Sequence, residues 1–557
     1  MKHTAVTIGP IYKTFLNVRK TREVWAASYM FSFLMKTIIQ ELVSVGIDKT
    51  RFIIPAVTDV ALNYKGAGLF PDRIIFESEN EDYAKVNGAI KEAVKIFSGY
   101  FPDDKEKVYN YLEEYFRFYF LEKELENGSN FIEDLYLHMD TLELQNKPLN
   151  EINANKDYLF DFFRGINKND FFKTNCYGND DNVPEELKLL DVNKKQRFES
   201  LIEISTRDLR DENEISSKSN AQRTFTYREL INEFLWNDHE GDTDNDQGFS
   251  EALKSGLPEK FKNYHKYIAI LKADGDKIGS TIKNMKGDVE KLKSFSSDLL
   301  EWAIETDKIT RKYGGIPIYI GGDDVLLFAP VANGNRTFID LVNDIDSAFV
   351  ARFKKYLNEK NEHPTLSYGI AINYYKFPLY EAIGKVDELL YDAKNYSEAR
   401  NSVCVRVLKH SGSELKTVFT KSGKNSKSQF ENIINHLDAD KFDKSFLSSV
   451  AYKLRDNEKV IDRLGKNSNR IENFFDNNYD DYNRITEKQN KKGKYLFAVK
   501  QLLINALEES EEIKIEYLKK NPEDEKMKKI TISELALEKV YTTLKISRFI
   551  KGMDDEK

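Results

Sequence analysis

Two short apolar runs near the middle of the chain are separated by only four residues. The runs occupy residues 316–320 and 325–328, and the four residues between them read Gly-Gly-Asp-Asp. A connection this short between two apolar runs is typical of a β-hairpin. Because glycine has no Cβ atom, the backbone at the tip can turn sharply and approach a ligand closely. The chain around residue 320 is therefore predicted to be a sheet with a sharp, acidic corner.

The hairpin lies inside a regular alternation of strands and helices. Further strands are predicted at 267–272, 366–374 and 402–407, and helices at 288–312, 337–358 and 379–394. The order βαββαβ, followed by an extra helix and strand, is that of a ferredoxin-like palm. The first hundred residues loosely repeat this pattern, with strands at 4–8, 51–57 and 73–76. We therefore predict an α+β protein with two ferredoxin-like palm domains plus helical domains.

The predicted domain boundaries follow from these patterns. Residues 1–101 form a first palm domain, which part of 206–260 could complete. Residues 102–205 are predicted to be a helical domain and 206–260 a linker or return segment. The second palm, with the Gly-Gly-Asp-Asp tetrad, is predicted at 261–412, and a C-terminal helical domain at 413–557.

Composition excludes several classes of protein. The 557 residues are 40% hydrophobic and 32% charged, as in a soluble globular protein. No apolar run approaches the roughly 20 residues of a membrane span. The two cysteines, Cys176 and Cys404, cannot build a disulfide framework or a four-thiolate zinc site. A net charge of −8 argues against a protein that coats nucleic acid by itself. We expect a cytoplasmic protein without membrane contact and without zinc.

A second acidic motif ends the first strand of the predicted second palm. Asp274 lies there, 49 residues before Asp323. In a palm this strand lies beside the hairpin, so the two carboxylates would converge at one edge of the sheet. A hard divalent cation relieves their repulsion, which predicts an Mg²⁺ or Mn²⁺ site. Two such ions can activate a 3′-hydroxyl and hold a triphosphate during in-line attack.

Other residues near the two acidic motifs could bind a nucleotide. The turn after the first strand offers backbone N–H groups at the start of a helix, which suits phosphate. Two cations near helix and strand ends could reach the phosphates, although a lysine at a helix C-terminus is also favoured by the helix dipole alone. The predicted nucleotide-binding residues are Gly275, Asp276, Gly279, Ser280, Gly321, Gly322, Lys394, Arg400, Asn401 and Lys409.

Beyond these patterns, the sequence resembles a known family, the large palm-domain subunit of type III CRISPR effector complexes, in its Cmr (III-B) branch. The matching stretches are TIGPIYKTFLNVRKTREVWAASY near the start, GLFPDR at 68–73, ADGDKIGS at 273–280, YIGGDDVLLFAP at 319–330, LSYGIAINYYKFPLYEAI at 366–383, AKNYSEARN at 393–401 and KHSG at 409–412. The stretch at 393–401 is also similar to the phosphate-binding end of GGDEF-type cyclases.

The resemblance implies two palms that face each other, with metal ligands only in the second. It assigns Asp323 and Asp324 as the GGDD carboxylates and Asp274 as the first-strand ligand, with Asp276 as a further candidate. It implies ATP as substrate, with pyrophosphate released. Members make cyclic oligoadenylate messengers when the complex binds target RNA. The implied partners are the other Cmr subunits, the guide crRNA and the target RNA.

Two features of many members are absent from this sequence. No His-Asp dipeptide occurs, so no HD nuclease activity is expected, and two cysteines cannot supply a zinc finger. Members without the HD domain include enzymes similar to synthetases that join ATP to S-adenosylmethionine. Three functions therefore stay open: a synthetase that conjugates AMP to S-adenosylmethionine, a cyclic oligoadenylate synthase that uses ATP alone, and a catalytically silent scaffold subunit.

Overall fold

The computed structural model describes residues 2–15, 18–79, 82–124, 131–144, 157–166, 169–175, 198–209, 215–216, 224–225, 261–422, 426–437, 442–479 and 491–553. Cys176 and most of the predicted linker lie outside these residues. The described strands are β1 (Lys2–Gly9), β2 (Phe52–Ile54), β3 (Arg73–Ser78), β4 (Arg117–Glu124), β5 (Ile215–Ser216), β6 (Thr224–Phe225), β7 (Tyr267–Asp276), β8 (Ile316–Gly321), β9 (Asp324–Pro330), β10 (Ala332–Asn333), β11 (Arg336–Thr337), β12 (Thr365–Tyr374), β13 (Ser402–Leu408) and β14 (Glu414–Thr420).

The helices lie between these strands and in a C-terminal group. They are α1 (Ile11–Phe15), α2 (Thr21–Ser44), α3 (Asp59–Asn63), α4 (Asp82–Ser98), α5 (Lys105–Tyr115), α6 (Phe131–Glu143), α7 (Tyr158–Gly165), α8 (Asp170–Asn175), α9 (Leu201–Ser205), α10 (Ile278–Asn284), α11 (Val289–Tyr313), α12 (Phe338–Phe353), α13 (Leu379–Asn395), α14 (Ser426–His436), α15 (Lys444–Asp456), α16 (Glu458–Leu464), α17 (Ser468–Asn478), α18 (Lys491–Lys520), α19 (Glu525–Lys529) and α20 (Ile532–Ile550). In the part of the chain that the structure describes, no helix has the length and apolar character to cross a bilayer.

The first sheet has the strand order β2-β3-β1-β4, with antiparallel neighbours throughout. This is the ferredoxin-like order, and its fourth strand is β4. The prediction that 102–205 is a helical domain is therefore wrong for β4, and the first palm extends beyond residue 101 to include this strand. Strand β4 lies at the sheet edge and is only half-buried, so its sequence lacks the clear alternation that marks a strand.

The second sheet has the order β14-β13-β12-β7-β9-β8. Its four strands β12-β7-β9-β8 form the predicted palm, and the hairpin connects β8 to β9. Strand β13 is parallel to β12, while β14 is antiparallel to β13. The predicted palm boundary at 412 is thus wrong, because the turn at Gly412 leads into another strand of the same sheet.

The two sheets meet along the edge strand β8. Gly68 forms a parallel bridge with Tyr319 and accepts a hydrogen bond from the Ile320 N–H at 3.1 Å. The indole N–H of Trp25 in α2 donates to the Gly66 carbonyl at 2.8 Å. A Cβ atom on Gly68 would lie only 3.1 Å from the Ser32 Cβ. The segment at 66–73 is therefore held between α2 and the strand that leads into the hairpin.

The C-terminal helices have a separate apolar core, formed mainly by α18 and α20 with the shorter helices packed around them. Helix α20 also contacts the second sheet, where the Phe549 and Tyr267 rings lie 4.9 Å apart. Because α20 touches both the helical core and the sheet, it connects the C-terminal domain to the second palm.

Candidate active site

Three carboxylates gather at one corner of the second sheet. Strands β7 and β9 are antiparallel, and their register carries Asp274 next to Asp324. Asp323 lies in the hairpin turn, where Gly322 has a left-handed φ of +64° that glycine adopts freely. The structure thus brings together the three aspartates that the sequence singled out.

The carboxylates at this corner repel one another. Burial, followed by the charges of Asp324 and Asp274, raises the pKa of Asp323 to about 7. Burial and the charge of Asp274 raise the pKa of Asp324 to about 6, against the opposing charges of Lys272 and Lys394. A carboxyl group whose pKa rises in this way has a negative charge that its surroundings do not balance. A cation that enters the corner would restore that balance.

Two of the predicted glycines make room for side chains of this corner. A Cβ atom on Gly275 would lie 2.5 Å from the Asp323 Oδ2 and 2.9 Å from its Cβ. A Cβ atom on Gly321 would collide with the Tyr319 ring. The sequence indicated glycine for close approach of a ligand, whereas the contacts show that Gly275 lets Asp323 pack directly against the end of β7.

Lys394, at the end of α13, is the cation of the corner. Its Nζ lies 2.5 Å from the Asp274 Oδ2 and donates to the Gly275 carbonyl at 3.2 Å. Among the described residues, no group of three His, Cys, Asp or Glu side chains is arranged to hold a metal ion. Mg²⁺, however, usually takes only one or two protein carboxylates and completes its shell with phosphate and water oxygens. The unbalanced pair Asp323 and Asp324 fits that donor set.

The corner opens into a cavity of about 760 Å³ between the two sheets. This volume lies within the range typical of small-molecule sites. One wall is apolar and includes Leu292, Phe295 and Leu299 of α11. The second palm also contributes, in sequence order, Gly275, Lys277, Gly279, Ser280, Gly321, Gly322, Asp323, Asp324 and Arg400. Most of the predicted nucleotide-binding residues therefore face one space.

The opposite wall comes from the first palm and was not predicted residue by residue. It includes Asp72, Arg73 and the ring of Tyr136. The Arg73 guanidinium lies 2.5 Å from Asp140 and stacks over Tyr136 at 5.0 Å from the ring centroid. Burial raises the pKa of Asp72. In the sequence, only a weak signal marked this wall, the GLFPDR stretch that ends with Asp72 and the first residue of β3, Arg73. The wall itself is set by how the two sheets pack.

Asp276 does not face the cavity, which corrects its prediction as a nucleotide or metal contact. Its side chain is fully buried, and Oδ2 accepts hydrogen bonds from the Ser367 hydroxyl at 2.8 Å, the Thr365 hydroxyl at 3.0 Å and the Asn401 N–H at 3.0 Å. Arg400 and Asn401 both have left-handed φ angles, 56° and 50°. Asp276 therefore fixes the loop that presents Arg400 to the cavity.

Lys409 lies at the other end of the sheet, so its prediction as a nucleotide contact is wrong. It follows β13, whose last residue Leu408 pairs with Asn373, and Asn373 pairs with Ile268 near the start of β7. Asp274 is six residues further along β7, which at roughly 3.3 Å per residue is about 20 Å away. Strand order could not be read from the sequence, so the end of β13 was placed at the wrong edge.

The predicted phosphate turn lies at the cavity mouth. Gly279 and Ser280 are exposed and belong to α10, a helix of seven residues. Lys277 precedes this helix in a left-handed conformation, and its Nζ lies 3.0 Å from the Glu362 Oε1. The turn thus presents mainly backbone and hydroxyl groups to the mouth, because its lysine is paired with an acid outside.

The loop that carries Arg400 is also tied to the C-terminal helices. Lys539 of α20 is buried, and its Nζ lies 2.7 Å from the Glu509 Oε2 of α18. The Lys539 Nζ also donates to the Tyr396 hydroxyl at 3.3 Å. The Glu398 N–H donates to the Glu516 carboxylate at 3.2 Å. These contacts tie Tyr396 and Glu398, at the start of the loop that carries Arg400, to α18 and α20.

Comparison with known proteins gives two family matches, one on each side of the cavity. Residues 267–404 match the second palm domain of Cas10/Cmr2, and residues 3–98 match the N-terminal region of the CRISPR-associated protein Cmr2. Two separate parts of the chain are therefore similar to Cas10/Cmr2 proteins. The first match ends just after the loop of Arg400, and the second includes Asp72 and Arg73 of the opposite wall.

Similar proteins and solved structures are distant from this chain in sequence. The CRISPR system Cmr subunit Cmr2 of Pyrococcus furiosus is 26% identical, over 40% of this chain and 30% of that protein. A cryo-EM structure of a type III-B Cmr-β complex in its apo state is 13% identical, with a TM-score of 0.42 over 76% of this chain and 70% of that chain. A Csm1–Csm4 cassette crystallised with cA4 is 11% identical, with a TM-score of 0.45 over 91% and 69%.

The electrostatics of the corner predict a metal-dependent and pH-dependent stability. The pKa values of Asp323 and Asp324 are raised in the folded state. Between about pH 4 and pH 7 the folded chain therefore binds more protons than the unfolded chain. The free energy of unfolding that these two groups contribute falls as the pH rises through that window. We expect Mn²⁺ to raise the melting temperature at about pH 8 and to do so much less at about pH 5.5, where protons compete. Scanning fluorimetry would measure this, and an equal shift in the Asp323→Asn/Asp324→Asn variant would contradict it.

Proposed function

We propose that this chain is a metal-dependent nucleotidyltransferase, the large subunit of a cytoplasmic type III-B Cmr complex that makes a nucleotide messenger when it binds target RNA. The observation that carries this proposal is the corner of three mutually repelling carboxylates, which opens into a cavity shared by two palm sheets. The matches of residues 3–98 and 267–404 to Cmr2 and Cas10/Cmr2 regions support the proposed partners, which are the other Cmr subunits, the guide crRNA and the target RNA.

The reaction joins the 3′-oxygen of an acceptor to the α-phosphorus of ATP and breaks the bond to pyrophosphate. Asp323 and Asp324, with Asp274, would hold Mg²⁺ or Mn²⁺, which supplies charge stabilisation for the phosphates. Arg400 at the cavity mouth would bind and orient the phosphate chain, since an arginine fork matches phosphate oxygens. The apolar wall of α11 suits an adenine ring and excludes water from the reacting groups.

We further propose S-adenosylmethionine as the acceptor, on the evidence of the first-palm wall. Asp72 and Arg73 are the charged residues of that wall that line the cavity, and Arg73 is already paired with Asp140 and Glu143, which do not line it. Because its neighbouring cation is paired elsewhere, the Asp72 carboxylate would attract a sulfonium cation and repel a second triphosphate. The alternative within the same chemistry is cyclic oligoadenylate made from ATP alone.

One observation favours the scaffold instead. The Asp274 carboxylate would have to be free to bind a metal ion, but the Lys394 Nζ lies 2.5 Å from its Oδ2. If that pair persists in the assembled complex, the corner has only two ligands for the ions. The product assay therefore has to distinguish all three functions.

The deciding experiment uses the assembled complex with guide and target RNA, ATP and Mn²⁺, with and without S-adenosylmethionine, and identifies products by mass spectrometry. A product that contains both AMP and S-adenosylmethionine supports the conjugating synthetase. Oligoadenylates that do not depend on S-adenosylmethionine support the oligoadenylate synthase. No product although the RNA is bound would support the scaffold.

Asp72 gives a sharper prediction for the conjugating reaction. Asp72→Asn should raise the S-adenosylmethionine concentration needed for half-maximal product about tenfold, because one contact to a charged group contributes about 1.5 kcal/mol. The ATP dependence should change less. Asp134→Asn, an acid of α6 that does not line the cavity, is the matched control. Equal effects of both variants, or none of either, would contradict a role for Asp72 in choosing the acceptor.

A further inference from the structure

A second cavity of about 360 Å³ lies far from the carboxylate corner. It is formed where the start of the second palm, the turn between β10 and β11, and the C-terminal helices meet. Lys262 lines this cavity and lies shortly before the first residue of β7. The carboxylate corner lies at the opposite end of that ten-residue strand. At roughly 3.3 Å per residue this separates the two cavities by about 30 Å. Whatever occupies the second cavity is not the substrate at the first.

The second cavity is basic although the chain as a whole is acidic. Four lysines and one histidine line it, and none of its described lining residues is an aspartate or glutamate. The lysines and the histidine are Lys262, Lys491, Lys494, Lys551 and His436. The chain has a net charge of −8, so this cluster of positive side chains around one cavity makes the local charge opposite in sign to that of the whole chain.

Among the described residues, no carboxylate lies within ion-pair distance of Lys262 or Lys494, two of the lysines that line this cavity. Burial and the charge of Lys494 lower the pKa of His436, as expected where positive charge is uncompensated. The aliphatic stem of Lys262 packs against the backbone near Gly552, where an added Cβ would lie 2.9 Å from the Lys262 Cβ. The stem is thus held in place at the cavity.

Neutral hydrogen-bonding groups complete the lining. Asn335 stands beside Gly334, which has a left-handed φ of +61°, at the turn between β10 and β11. Asn435 contributes an amide from another segment, whereas the Thr337 hydroxyl already donates to the Asp340 Oδ2 at 3.1 Å. Lysine ammonium groups with amide donors form a donor set that binds phosphate oxygens.

We propose that the second cavity binds a phosphate-bearing ligand about the size of one nucleotide, either a free nucleotide or one nucleotide of an RNA strand. The volume is near the lower limit for small-molecule sites, so it admits a mononucleotide and excludes a duplex. The site is independent of the proposed catalytic function, because it shares no lining residue with the first cavity.

The test measures binding to the full-length chain by fluorescence anisotropy and calorimetry in EDTA, without divalent ions. The two probes are a labelled single-stranded RNA oligonucleotide and free AMP. The variant Lys262→Gln/Lys494→Gln removes the two unbalanced lysines. The control Lys308→Gln/Lys459→Gln removes two exposed lysines elsewhere and has the same net charge. The melting temperatures of both variants show whether they fold like the parent.

We expect the cavity variant, and not the control, to weaken binding at least about tenfold. If the strand is the ligand, RNA binding weakens, and its log–log salt slope becomes shallower by about 1.4, since a single strand releases about 0.7 counterion per phosphate contact. If a free nucleotide is the ligand, AMP binding weakens in the same variant. Equal weakening by both variants would show only general surface charge and overturn the proposal. Failure of the parent to bind either probe would also overturn it.

Discussion

Asp323→Asn/Asp324→Asn should lower nucleotide product from the target-bound complex at least about 10³-fold. Charge stabilisation by metal ions contributes several kcal/mol to a transition state, and each 1.4 kcal/mol is about a factor of ten in rate. The same variant should melt at a higher temperature than the parent at about pH 8 without metal, because it removes the repulsion that raises the pKa of both aspartates. Mass spectrometry and scanning fluorimetry measure the two effects.

The opposite signs of these effects make the experiment specific. A variant that is inactive because it misfolds would lose stability as well as product. Retention of product within about tenfold of the parent would show that the carboxylates do not carry the reaction. The complex should still assemble with both aspartates replaced, since neither side chain lies in the core of the chain.

Gly369→Ala should destabilise the second palm more than other alanine substitutions of comparable size. Gly369 lies in β12, and a Cβ atom there would stand 2.6 Å from the Val386 carbonyl oxygen and 2.9 Å from the Leu390 Cα. Both are backbone atoms of α13, which cannot swing away as a side chain can, so the helix must shift. Overpacking of this kind costs about 1–3 kcal/mol, and sometimes more. Urea denaturation measures the loss.

The same variant should also lower activity, because Lys394 lies in the last turn of α13 and the helix leads into the loop of Arg400. Gly384→Ala is the matched control, since Gly384 lies in the same helix and nothing stands within 4 Å of its added Cβ. We expect the control to be neutral or up to about 1 kcal/mol more stable, as alanine favours a helix. If both variants have the same free energy of unfolding as the parent, the prediction that α13 packs too closely on Gly369 for an added Cβ atom is contradicted.

The second palm was largely predictable because its signals are local. The hairpin, the strand that ends in Asp274 and the helices between them each fit within a short window of sequence. Strands β4 and β14 were missed for the opposite reason: each is recognisable mainly by the strand beside it, and β4 is a half-buried edge strand. Pairing with a distant segment leaves little trace in the edge strand itself.

The carboxylate corner was predictable for the same local reason, but the rest of the cavity was not. Asp72 and Tyr136 reach it through packing between sheets that lie some two hundred residues apart in sequence. Lys409 was misplaced because the direction of β13 depends on strand order. Asp276 follows Asp274 by two residues, yet hydrogen bonds to β12 and the 401 amide draw it away from the cavity.

The buried pair of Lys539 and Glu509 behind the Arg400 loop bears on the order in which the chain is synthesised. Tyr396 leaves the ribosome long before its partner Lys539, which lies 143 residues further along. The second palm, including all three aspartates, can therefore fold while the loop of Arg400 still lacks its contact with Lys539. A nascent palm would gain its complete site only after α18 and α20 had been made and had closed around the ion pair.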